Sequence, residues 1–462
     1  GYDIRRYTYD FRQQMTGEAV LVKAEDILAE YHAGAVPDSE YANMLVCMTT
    51  YEYYSTGKLK NRKDAAGNTT AFEYDYDGRV TRKTDPLTQN TVYSYDMAGN
   101  LKQEKNTRGF TSAYDYDSMN RLIRKTAPAA DGSDAVMRYV YDIMGNLTKQ
   151  ILPNDYDKGL DTAELAGTML GIAYTYDSMN RRISTLSPDG QVMEALQYDE
   201  KGNVIKNVDG LRYIGNVEAS PGTVYAYDGL NRVTKVTDIL GNKTTYAYDI
   251  LGNILQQTDA RGNTTEYEYN GDGTLSKAIY ADGSSMEFAC DRLGRMISSK
   301  DQKGSITEYE YNGFGKIKAE TDTYRNTIAY KYDLNGNQVS VKDKRGSTSL
   351  LRYDALNRLA EKKLPISVDA NGNTVWTIEK YVYDEAGNLT SRTQTGTLDK
   401  QDSRVTTYTY YLNNQLKTVS DNSGASTTSY YDKNGNTVKT VQLRDNGEYD
   451  IQRFEYDIMN RI

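Results

Sequence analysis

Residues 246–275 read YAYDILGNILQQTDARGNTTEYEYNGDGTL and contain nearly the same sequence pattern twice. In each half an aromatic pair, Tyr-x-Tyr, is followed by Asp or Asn, two variable residues and Gly. The phrase contains no evident nucleophile, metal cluster or phosphate-binding loop. A sequence pattern that recurs at so short an interval predicts a repeat architecture rather than a catalytic or binding site.

Nineteen copies of the phrase run along the chain, and 10 of the 18 intervals between copies are as long as the interval from Tyr248 to Tyr269. Each copy is numbered here by its second aromatic position. These positions are Tyr9, Tyr53, Tyr74, Tyr95, Tyr116, Tyr141, Tyr176, Tyr198, Tyr227, Tyr248, Tyr269, Cys290, Tyr311, Tyr332, Tyr353, Tyr383, Tyr410, Tyr431 and Tyr456. Because 18 of the 19 are tyrosine, the position is architectural.

Four residues after this tyrosine, 18 of the 19 copies hold Gly or Asn, and Gln13 is the exception. Gly and Asn enter the left-handed backbone region at low cost. A hairpin with three loop residues needs that conformation at its third loop residue. We therefore predict a turn closed by Asp249 and Asn253, with Tyr248 opposite Ile254. Residues 249–253 and their counterparts in the other copies are called the Tyr-Asp turn.

A second turn follows half a period later. In the ten copies with this common interval, the eleventh residue after the tyrosine is Asp or Asn nine times, and the fourteenth is Gly eight times, as in Asp259 and Gly262. The five residues that open on this Asp or Asn are called the second turn. Each copy is then strand, turn, strand, turn, which predicts an all-β fold built as one long antiparallel meander of β-hairpins.

The composition supports a sheet held by tyrosine, with 43 Tyr and 37 Gly but only 7 Pro and 6 Phe. One copy cannot bury enough apolar surface to fold alone, so neighbouring copies must stack. About 38 strands at a spacing of about 4.8 Å make a strip about 180 Å long. Because sheets of that size twist and curl, the sequence predicts a hollow wall with the 19 copies forming a single domain over residues 1–462.

Two stretches interrupt the repeat. Residues 16–50 contain VKAEDILAEYHAG and PDSEYANMLVCM, which predict a mainly helical insertion with Asp38 or Ser39 as an N-cap. Residues 154–172 contain LDTAELAGTML, where Asp161 and Glu164 have the spacing of a capping arrangement and predict a short helix. We expect both insertions at a rim or as a plug at one end.

The predicted site residues are the ones that build the repeat. They are Tyr95, Asp96, Gly99, Leu101, Tyr248, Asp249, Gly252, Ile254, Tyr269, Gly273, Tyr311, Gly315, Tyr332 and Gly336. Turn chemistry already explains an Asp before x-x-Gly, so no metal site is predicted, not even at Asp75-Tyr76-Asp77-Gly78.

No catalytic set is evident. His32 is the only histidine, and nothing orients it with Cys47 as a nucleophile and base. Cys47 and Cys290 are interpreted as small buried apolar residues. We predict that the chain is not an enzyme and needs no cofactor.

A net charge of −9 with scattered basic residues disfavours nucleic acid as a partner. The sequence contains no run of 18 apolar residues, so no membrane span is predicted. Exposed tyrosine rings could stack on sugars, and the tyrosines that the repeat does not demand are the candidates. They are Tyr31, Tyr41, Tyr156, Tyr213 and Tyr324.

The phrase carries a family resemblance. Tyr95-Asp96-Met-Ala-Gly99-Asn100-Leu101, and its Asn-Arg-Leu variant after Tyr116 and Tyr353, resemble the RHS or YD repeat. The family includes bacterial polymorphic toxins, shells of insecticidal toxin complexes, wall-associated proteins and animal teneurins. The resemblance implies a β-strip spiralling into a hollow cocoon. In bacterial members that cocoon holds a C-terminal toxin domain, and some members cut themselves near Asp-Pro-x-Gly-Leu.

The chain departs from that cleavage motif. Its one Asp-Pro pair, Asp85-Pro86, is followed by Leu87-Thr88, so no protease residue can be transferred. We expect a secreted or surface-located section of a shell, truncated at both ends, whose partners are a C-terminal toxin domain of the full-length chain or other shell segments. The alternative is an adhesion or carbohydrate-binding module with a cell-surface glycan or receptor as partner.

Overall fold

The computed structural model describes residues 4–34, 36–37, 43–396 and 403–462, and over these residues the fold is all-β. The first half contains β1 Ile4–Tyr9, β2 Met15–Lys23, β3 Val36–Pro37, β4 Met44–Tyr53, β5 Leu59–Lys63, β6 Thr69–Tyr74, β7 Val80–Thr84, β8 Asn90–Tyr95, β9 Leu101–Lys105, β10 Thr111–Tyr116, β11 Leu122–Pro128, β12 Asp134–Tyr141, β13 Leu147–Ile151, β14 Ile172–Tyr176, β15 Arg182–Leu186, β16 Val192–Tyr198, β17 Val204–Asp209, β18 Thr223–Tyr227 and β19 Val233–Thr237.

The second half contains β20 Lys243–Tyr248, β21 Ile254–Thr258, β22 Thr264–Tyr269, β23 Leu275–Ile279, β24 Ser285–Cys290, β25 Met296–Lys300, β26 Ile306–Tyr311, β27 Ile317–Asp322, β28 Thr327–Tyr332, β29 Gln338–Lys342, β30 Thr348–Tyr353, β31 Leu359–Val368, β32 Thr374–Tyr383, β33 Leu389–Gly396, β34 Arg404–Tyr410, β35 Leu416–Asp421, β36 Ser426–Tyr431, β37 Thr437–Leu443 and β38 Tyr449–Arg453. Short 3₁₀ helices span Ala24–Asp26, Ala29–Gly34, Lys158–Leu160, Ala166–Thr168 and Gly210–Arg212.

The chain divides into two compact units. The first comprises Gly1–Tyr114, Ala127–Asp134 and Glu308–Phe454, and the second comprises Asp115–Thr126, Ala135–Thr307 and Glu455–Ile462. Inside each unit the strands pair antiparallel with their neighbours along the chain, as β20, β21, β22 and β23 do. The predicted all-β meander of hairpins is confirmed.

The strands bury one face only in part. Along β20 and β26, exposed and half-buried residues alternate, and the tyrosines fall on the half-buried face. Few side chains are buried completely, and the largest of these are Leu21, Ile27 and Ile151. Tyrosine therefore supplies the covered face that aliphatic residues supply in an ordinary sheet.

The prediction of a mainly helical insertion over 16–50 is wrong. Strands β2 and β4 are nine and ten residues long and pair from Gly17 with Thr50 to Lys23 with Met44. The helical content of the described part is two 3₁₀ helices in the connection between them. Leu21 and Val22 are fully buried in β2, so burial of apolar side chains in the sheet overrides the helical preference of the segment. The proposed caps Asp38 and Ser39 lie outside the described residues.

The short insertion 154–172 holds two 3₁₀ helices, and the predicted capping arrangement is wrong. Asp161 follows the first of these helices and caps nothing at an N-terminus. Its carboxylate instead accepts from Arg138 Nε and Arg124 Nη1, both at 2.7 Å. Ile151, Ala166 and Met169 form the small core beneath the insertion.

Candidate functional site

The Tyr-Asp turn has the predicted hairpin geometry. Asp249 N donates to Asn253 O at 2.9 Å, Gly252 N donates to Asp249 O at 3.3 Å, and Tyr248 pairs with Ile254. The φ of Gly252 is 95°, a positive value that residues with a side chain adopt only at an energetic cost. Asp249 Oδ1 accepts from Leu251 N and Asn253 N, and Oδ2 accepts from Asn253 Nδ2. The turn therefore uses both carboxylate oxygens to fix its own conformation.

The same geometry is found at the other predicted repeat residues. Tyr95 pairs with Leu101, Tyr269 with Leu275 and Tyr332 with Gln338, each after a one-residue shift of register. Positive φ values are found at Gly99, Gly273, Gly315 and Gly336. Even the exceptional Gln13 has a φ of 61°.

In many copies the tyrosine hydroxyl joins the copy to the one before it, which the sequence did not reveal. Tyr269 Oη donates to Ile254 O at 2.9 Å and Tyr248 Oη donates to Val233 O at 2.7 Å. In every pair named here the acceptor is the residue six positions after the preceding tyrosine. The other pairs include Tyr95 with Val80, Tyr141 with Leu122, Tyr176 with Leu147, Tyr227 with Val204, Tyr332 with Ile317, Tyr383 with Leu359, Tyr410 with Leu389 and Tyr431 with Leu416.

A second bridge starts from the last residue of the turn when that residue is Arg. Arg232 Nε donates to Asp228 Oδ2 at 2.7 Å, and its Nη1 donates to Asp249 O of the next copy at 2.7 Å. The same guanidinium lies 4.6 Å from the centroid of the Tyr248 ring. Where the last residue is Asn, it can bond an Asn in the next turn, as Asn203 Nδ2 does with Asn231 Oδ1 at 3.0 Å. The last residue of the Tyr-Asp turn, which varies between copies, thus forms contacts between neighbouring copies.

In the first unit, turns from opposite edges of the strip meet. Asn335 Nδ2 of a Tyr-Asp turn donates to Asp64 Oδ2 of a second turn at 2.8 Å, and Ala66 N donates to Asn335 Oδ1 at 3.0 Å. Farther along, Arg108 Nη1 lies 3.0 Å from Asn414 Oδ1 and 3.7 Å from Asp384 Oδ2. Asp64, Asn335, Arg108, Asp384 and Asn414 define the seam, which joins parts of the chain that are distant in sequence.

Strands β2 and β4, with the connection between them, continue the seam with apolar contacts. Val22, Ile27, Leu45 and Cys47 form a buried cluster with Leu334 and the ring of Tyr332. Leu28 N donates to Tyr332 O at 3.0 Å. The Cys47 thiol is buried, which raises its pKa to about 12, so it packs as an apolar residue rather than reacting as a thiolate.

Burial gives opposite pKa shifts to the aspartates of two turns that share the same internal hydrogen bonds. The Asn253 amide, together with backbone N–H groups, holds the pKa of Asp249 below its ordinary value. Asp333 makes the corresponding hydrogen bonds to Asn337, yet burial raises its pKa. Because the hydrogen bonds of the two turns match, the burial of Asp333 causes the difference.

A cleft of about 540 Å³ opens beside the seam. Tyr31 and Tyr353 line it together with Glu30, Asp333 and Arg352. Burial, followed by the charge of Glu30, raises the pKa of Tyr31 to about 12.

The glycan candidates that the structure describes have different local surroundings. Tyr31 lies in the cleft of the first unit and Tyr324 is exposed at a second turn. Tyr213 Oη donates to Gly215 O, and Tyr41 lies outside the described residues. Tyr156 is structural, since its Oη donates to Asp161 Oδ2 at 2.7 Å.

Asp75 and Asp77, where no metal site was predicted, both contact an arginine. Arg79 Nε lies 2.7 Å from Asp75 Oδ2 and its Nη2 lies 2.7 Å from Asp77 Oδ2. Among the residues that the structure describes, no group of three or more His, Cys, Asp or Glu side chains is arranged to hold a metal ion. In the same residues, no helix has the length and apolar character needed to cross a membrane.

The sequence patterns did not identify the buried carboxylate of Asp161 as the centre of a hydrogen-bonded cluster. Its side chain and that of Arg138 are both buried. Although burial acts in the opposite direction, hydrogen bonds from Tyr156, Arg138 and Arg124 hold the pKa of Asp161 below its ordinary value. No periodic signal marks this cluster in the sequence, because its members come from the insertion and from two strands.

Comparisons with known families agree with the repeat. The RHS Repeat family matches residues 53–89, 74–111, 95–133, 227–263 and 251–285, and the Teneurin YD-shell family matches residues 305–401. Together these matches cover about half of the chain. A search among curated protein sequences finds no match.

Solved structures of toxin components are similar to the chain. A complex described as TcdB2-TccC3-Cdc42 matches with 13% identity and a TM-score of 0.36, over 95% of this chain and 30% of that one. The Photorhabdus luminescens Tc holotoxin pore matches with 13% identity and a TM-score of 0.33, over 97% of this chain and 30% of that one. The chain spans about a third of the length of these structures.

Proposed function

The chain belongs to the RHS/YD-repeat family, and we propose that it is a non-catalytic section of a shell wall, secreted or displayed at the bacterial surface, that sequesters a C-terminal effector. The observation that supports this most is the seam. A sheet used as a wall must join its own edges, and Asn335 with Asp64 and Arg108 with Asn414 do so by direct contact.

The distribution of polar groups also supports a scaffold. The carboxylates of the turns are engaged by backbone N–H groups and by Asn or Arg of the same turn, as at Asp249 and Asp228. A general acid or base needs a carboxyl group that is free to reach a substrate. These carboxylates serve instead to fix the turn conformation.

The proposal is tested on the full-length gene product by limited proteolysis. We expect an effector segment that resists protease while the wall is intact and is digested once the wall is denatured. Arg108→Ala should open the seam and speed digestion of that segment. Arg261→Ala is the matched control, since Arg261 occupies the same position of a second turn and is exposed outside the seam.

Three outcomes would contradict the proposal. One is a gene product with no further domain after the repeats. Another is an effector segment that is digested at the same rate with and without the folded wall. The third is hydrolase activity of the isolated chain, which would contradict its assignment as a non-catalytic scaffold.

The cleft beside the seam supports a second candidate, carbohydrate binding. Two tyrosines, carboxylates and the guanidinium of Arg352 are the groups that proteins use to stack on sugar rings and bond their hydroxyls. A glycan array would show a specific signal that Tyr31→Ala abolishes and Tyr324→Ala leaves unchanged. A featureless array would leave the scaffold as the better account.

A further inference from the structure

Six Asn-Gly pairs occur along the chain, and Asn-Gly is the sequence in which asparagine is most readily deamidated. Because Gly has no side chain and adopts unusual backbone angles, its nitrogen can reach the side-chain carbonyl carbon of the Asn before it. The pairs are Asn270-Gly271, Asn312-Gly313, Asn335-Gly336, Asn371-Gly372, Asn434-Gly435 and Asn446-Gly447. The pair is the same in each case, so a difference in reactivity must come from the surroundings.

In four of the pairs the glycine nitrogen is engaged. Its N–H closes a turn, as Gly336 N does by donating to Asp333 O at 3.1 Å. The others are Gly372 N with Asp369 O, Gly435 N with Asp432 O, and Gly447 N with Arg444 O. Attack by these nitrogens requires the turn to open first, and that local opening costs free energy.

The other two pairs place Asn at the first residue of a Tyr-Asp turn. Of the 19 copies, 15 hold Asp there, and the exceptions are Tyr54, Tyr411, Asn270 and Asn312. Both asparagines follow Tyr and precede Gly, so their nearest neighbours in sequence match. They form a natural pair that differs mainly in its surroundings.

Asn312 is held in place. It is 5% exposed, and its Oδ1 accepts from Phe314 N and Lys316 N, both at 3.0 Å. A Cβ on Gly313 would lie 2.1 Å from Leu21 O, so strand β2 closes over this turn. The side-chain carbonyl is therefore fixed away from the Gly313 nitrogen and shielded from solvent.

Asn270 is exposed and held less firmly. Within the described parts of the chain its side chain makes one hydrogen bond, from Nδ2 to Thr274 Oγ1 at 2.9 Å. Thr274 N, which in an aspartate turn would bond the first residue, donates to Asp272 Oδ1 at 3.0 Å. A Cβ on Gly271 would meet nothing within 4 Å. The side-chain carbonyl of Asn270 thus lies in an open turn without a backbone N–H to hold it.

We propose that Asn270 converts itself to aspartate in the folded protein, with water as the co-reactant. Gly271 N loses its proton and attacks Asn270 Cγ, which forms a cyclic imide. The bond from Cγ to Nδ2 breaks, and the side-chain nitrogen leaves as ammonia. Water then opens the imide, giving aspartate by cleavage at Cγ and isoaspartate by cleavage at the main-chain carbonyl. The balance is asparagine and water to a carboxylate and ammonia, so neither an oxidant nor an enzyme is needed.

The two products have different effects on the hairpin of β22 and β23. Aspartate supplies at position 270 the carboxylate that Asp249 uses to accept from two backbone N–H groups. Isoaspartate adds a carbon atom to the main chain inside a loop whose length sets the strand register. This turn is therefore where the covalent structure of the second unit changes with age. The inference concerns the chain itself and does not depend on a cargo or on sugar binding.

Peptide mapping by mass spectrometry tests the proposal. The purified chain is incubated folded, at neutral and mildly alkaline pH, in water labelled with heavy oxygen, which marks each hydrolysed imide. We expect conversion at Asn270 to exceed conversion at Asn312 several-fold, and to rise with pH because Gly271 N must lose a proton. In guanidinium chloride the two sites should react at similar rates, since the surroundings that protect Asn312 are gone.

Gly271→Ala is the matched variant, because a methyl group hinders the approach of the nitrogen while the turn has room for it. It should suppress conversion at position 270, and circular dichroism checks that it is folded. The proposal is overturned if Asn270 stays unmodified in the folded chain while it reacts in guanidinium chloride. Equal rates at Asn270 and Asn312 in the folded chain would overturn it as well, and so would a Gly271→Ala variant that reacts as fast as the wild type.

Discussion

The turns at Tyr332 and Tyr248 have the same internal hydrogen bonds but different surroundings. Asp333 and Asp249 each accept from a backbone N–H and from an Asn side chain four residues on. At the following residue, Leu334 is buried in the seam cluster and Ile250 points into solvent. The repeated phrase therefore fixes the local turn, and distant segments decide what each turn contributes to stability.

The largest difference between the two turns is expected at their apolar tips. Leu334→Ala should lower the free energy of unfolding by about 2–5 kcal/mol, because it leaves a cavity in a closed cluster. Ile250→Ala should change it by less than about 0.5 kcal/mol, because nothing packs on that side chain. Thermal denaturation at low protein concentration measures both. Equal effects would show that the seam is not formed in solution.

A glycine pair tests, from the backbone side, how closely β2 packs against a Tyr-Asp turn. A Cβ on Gly313 would overlap Leu21 O, whereas a Cβ on Gly271, at the same place in its copy, would meet nothing within 4 Å. Gly313→Ala should cost about 1–3 kcal/mol through overpacking. Gly271→Ala should be neutral or slightly stabilising, since it restricts the unfolded chain. A destabilised Gly271→Ala would contradict the open surroundings of that turn.

The left-handed residue of the uncovered turn gives a smaller effect. Gly252→Val should cost about 1–2 kcal/mol, because a β-branched residue is strained at a φ of 95°. Leu251→Val, one residue earlier and exposed, should cost less. The difference between their melting temperatures measures the strain. Identical melting temperatures would refute the turn assignment.

The regular part of the fold was predictable because one local rule repeats. The spacing of tyrosine, Asp and Gly placed both turns and paired Tyr248 with Ile254. Residues 16–50 were not predictable in the same way. Their helix-favouring residues compete with the burial of Leu21 and Val22, and the cluster around Val22 includes Leu334 from a distant part of the sequence. No local pattern reports such a contact.

The candidate site was predictable only as far as it is repetitive. The tyrosines were identified, but not the donation of their hydroxyls to the preceding copy, since the spacing sets the order of the strands but not how far a tyrosine side chain reaches across them. The seam depends on Asn335 and Arg108, which look like ordinary turn residues. Tyr156 was a reasonable glycan candidate from sequence and is explained instead by the Asp161 cluster.

The smallest expected effect is a pH dependence of opposite sign at the two turns. The pKa of Asp249 is lowered, so its contribution is present above the ordinary value of 3.8 and is lost as the pH falls through the folded-state value. The pKa of Asp333 is raised, so its contribution is present below 3.8 and is lost as the pH rises through the folded-state value.

Asp249→Asn and Asp333→Asn separate these two contributions. On acidification through pH 3.8, the stability advantage of the wild type over Asp249→Asn should shrink. Over the same interval, the wild type should gain relative to Asp333→Asn. Denaturant midpoints measured across this range for the three proteins give both differences. Parallel curves for the two variants would mean that the seam does not exclude water from Asp333, because burial is the main influence that distinguishes its carboxylate from that of Asp249.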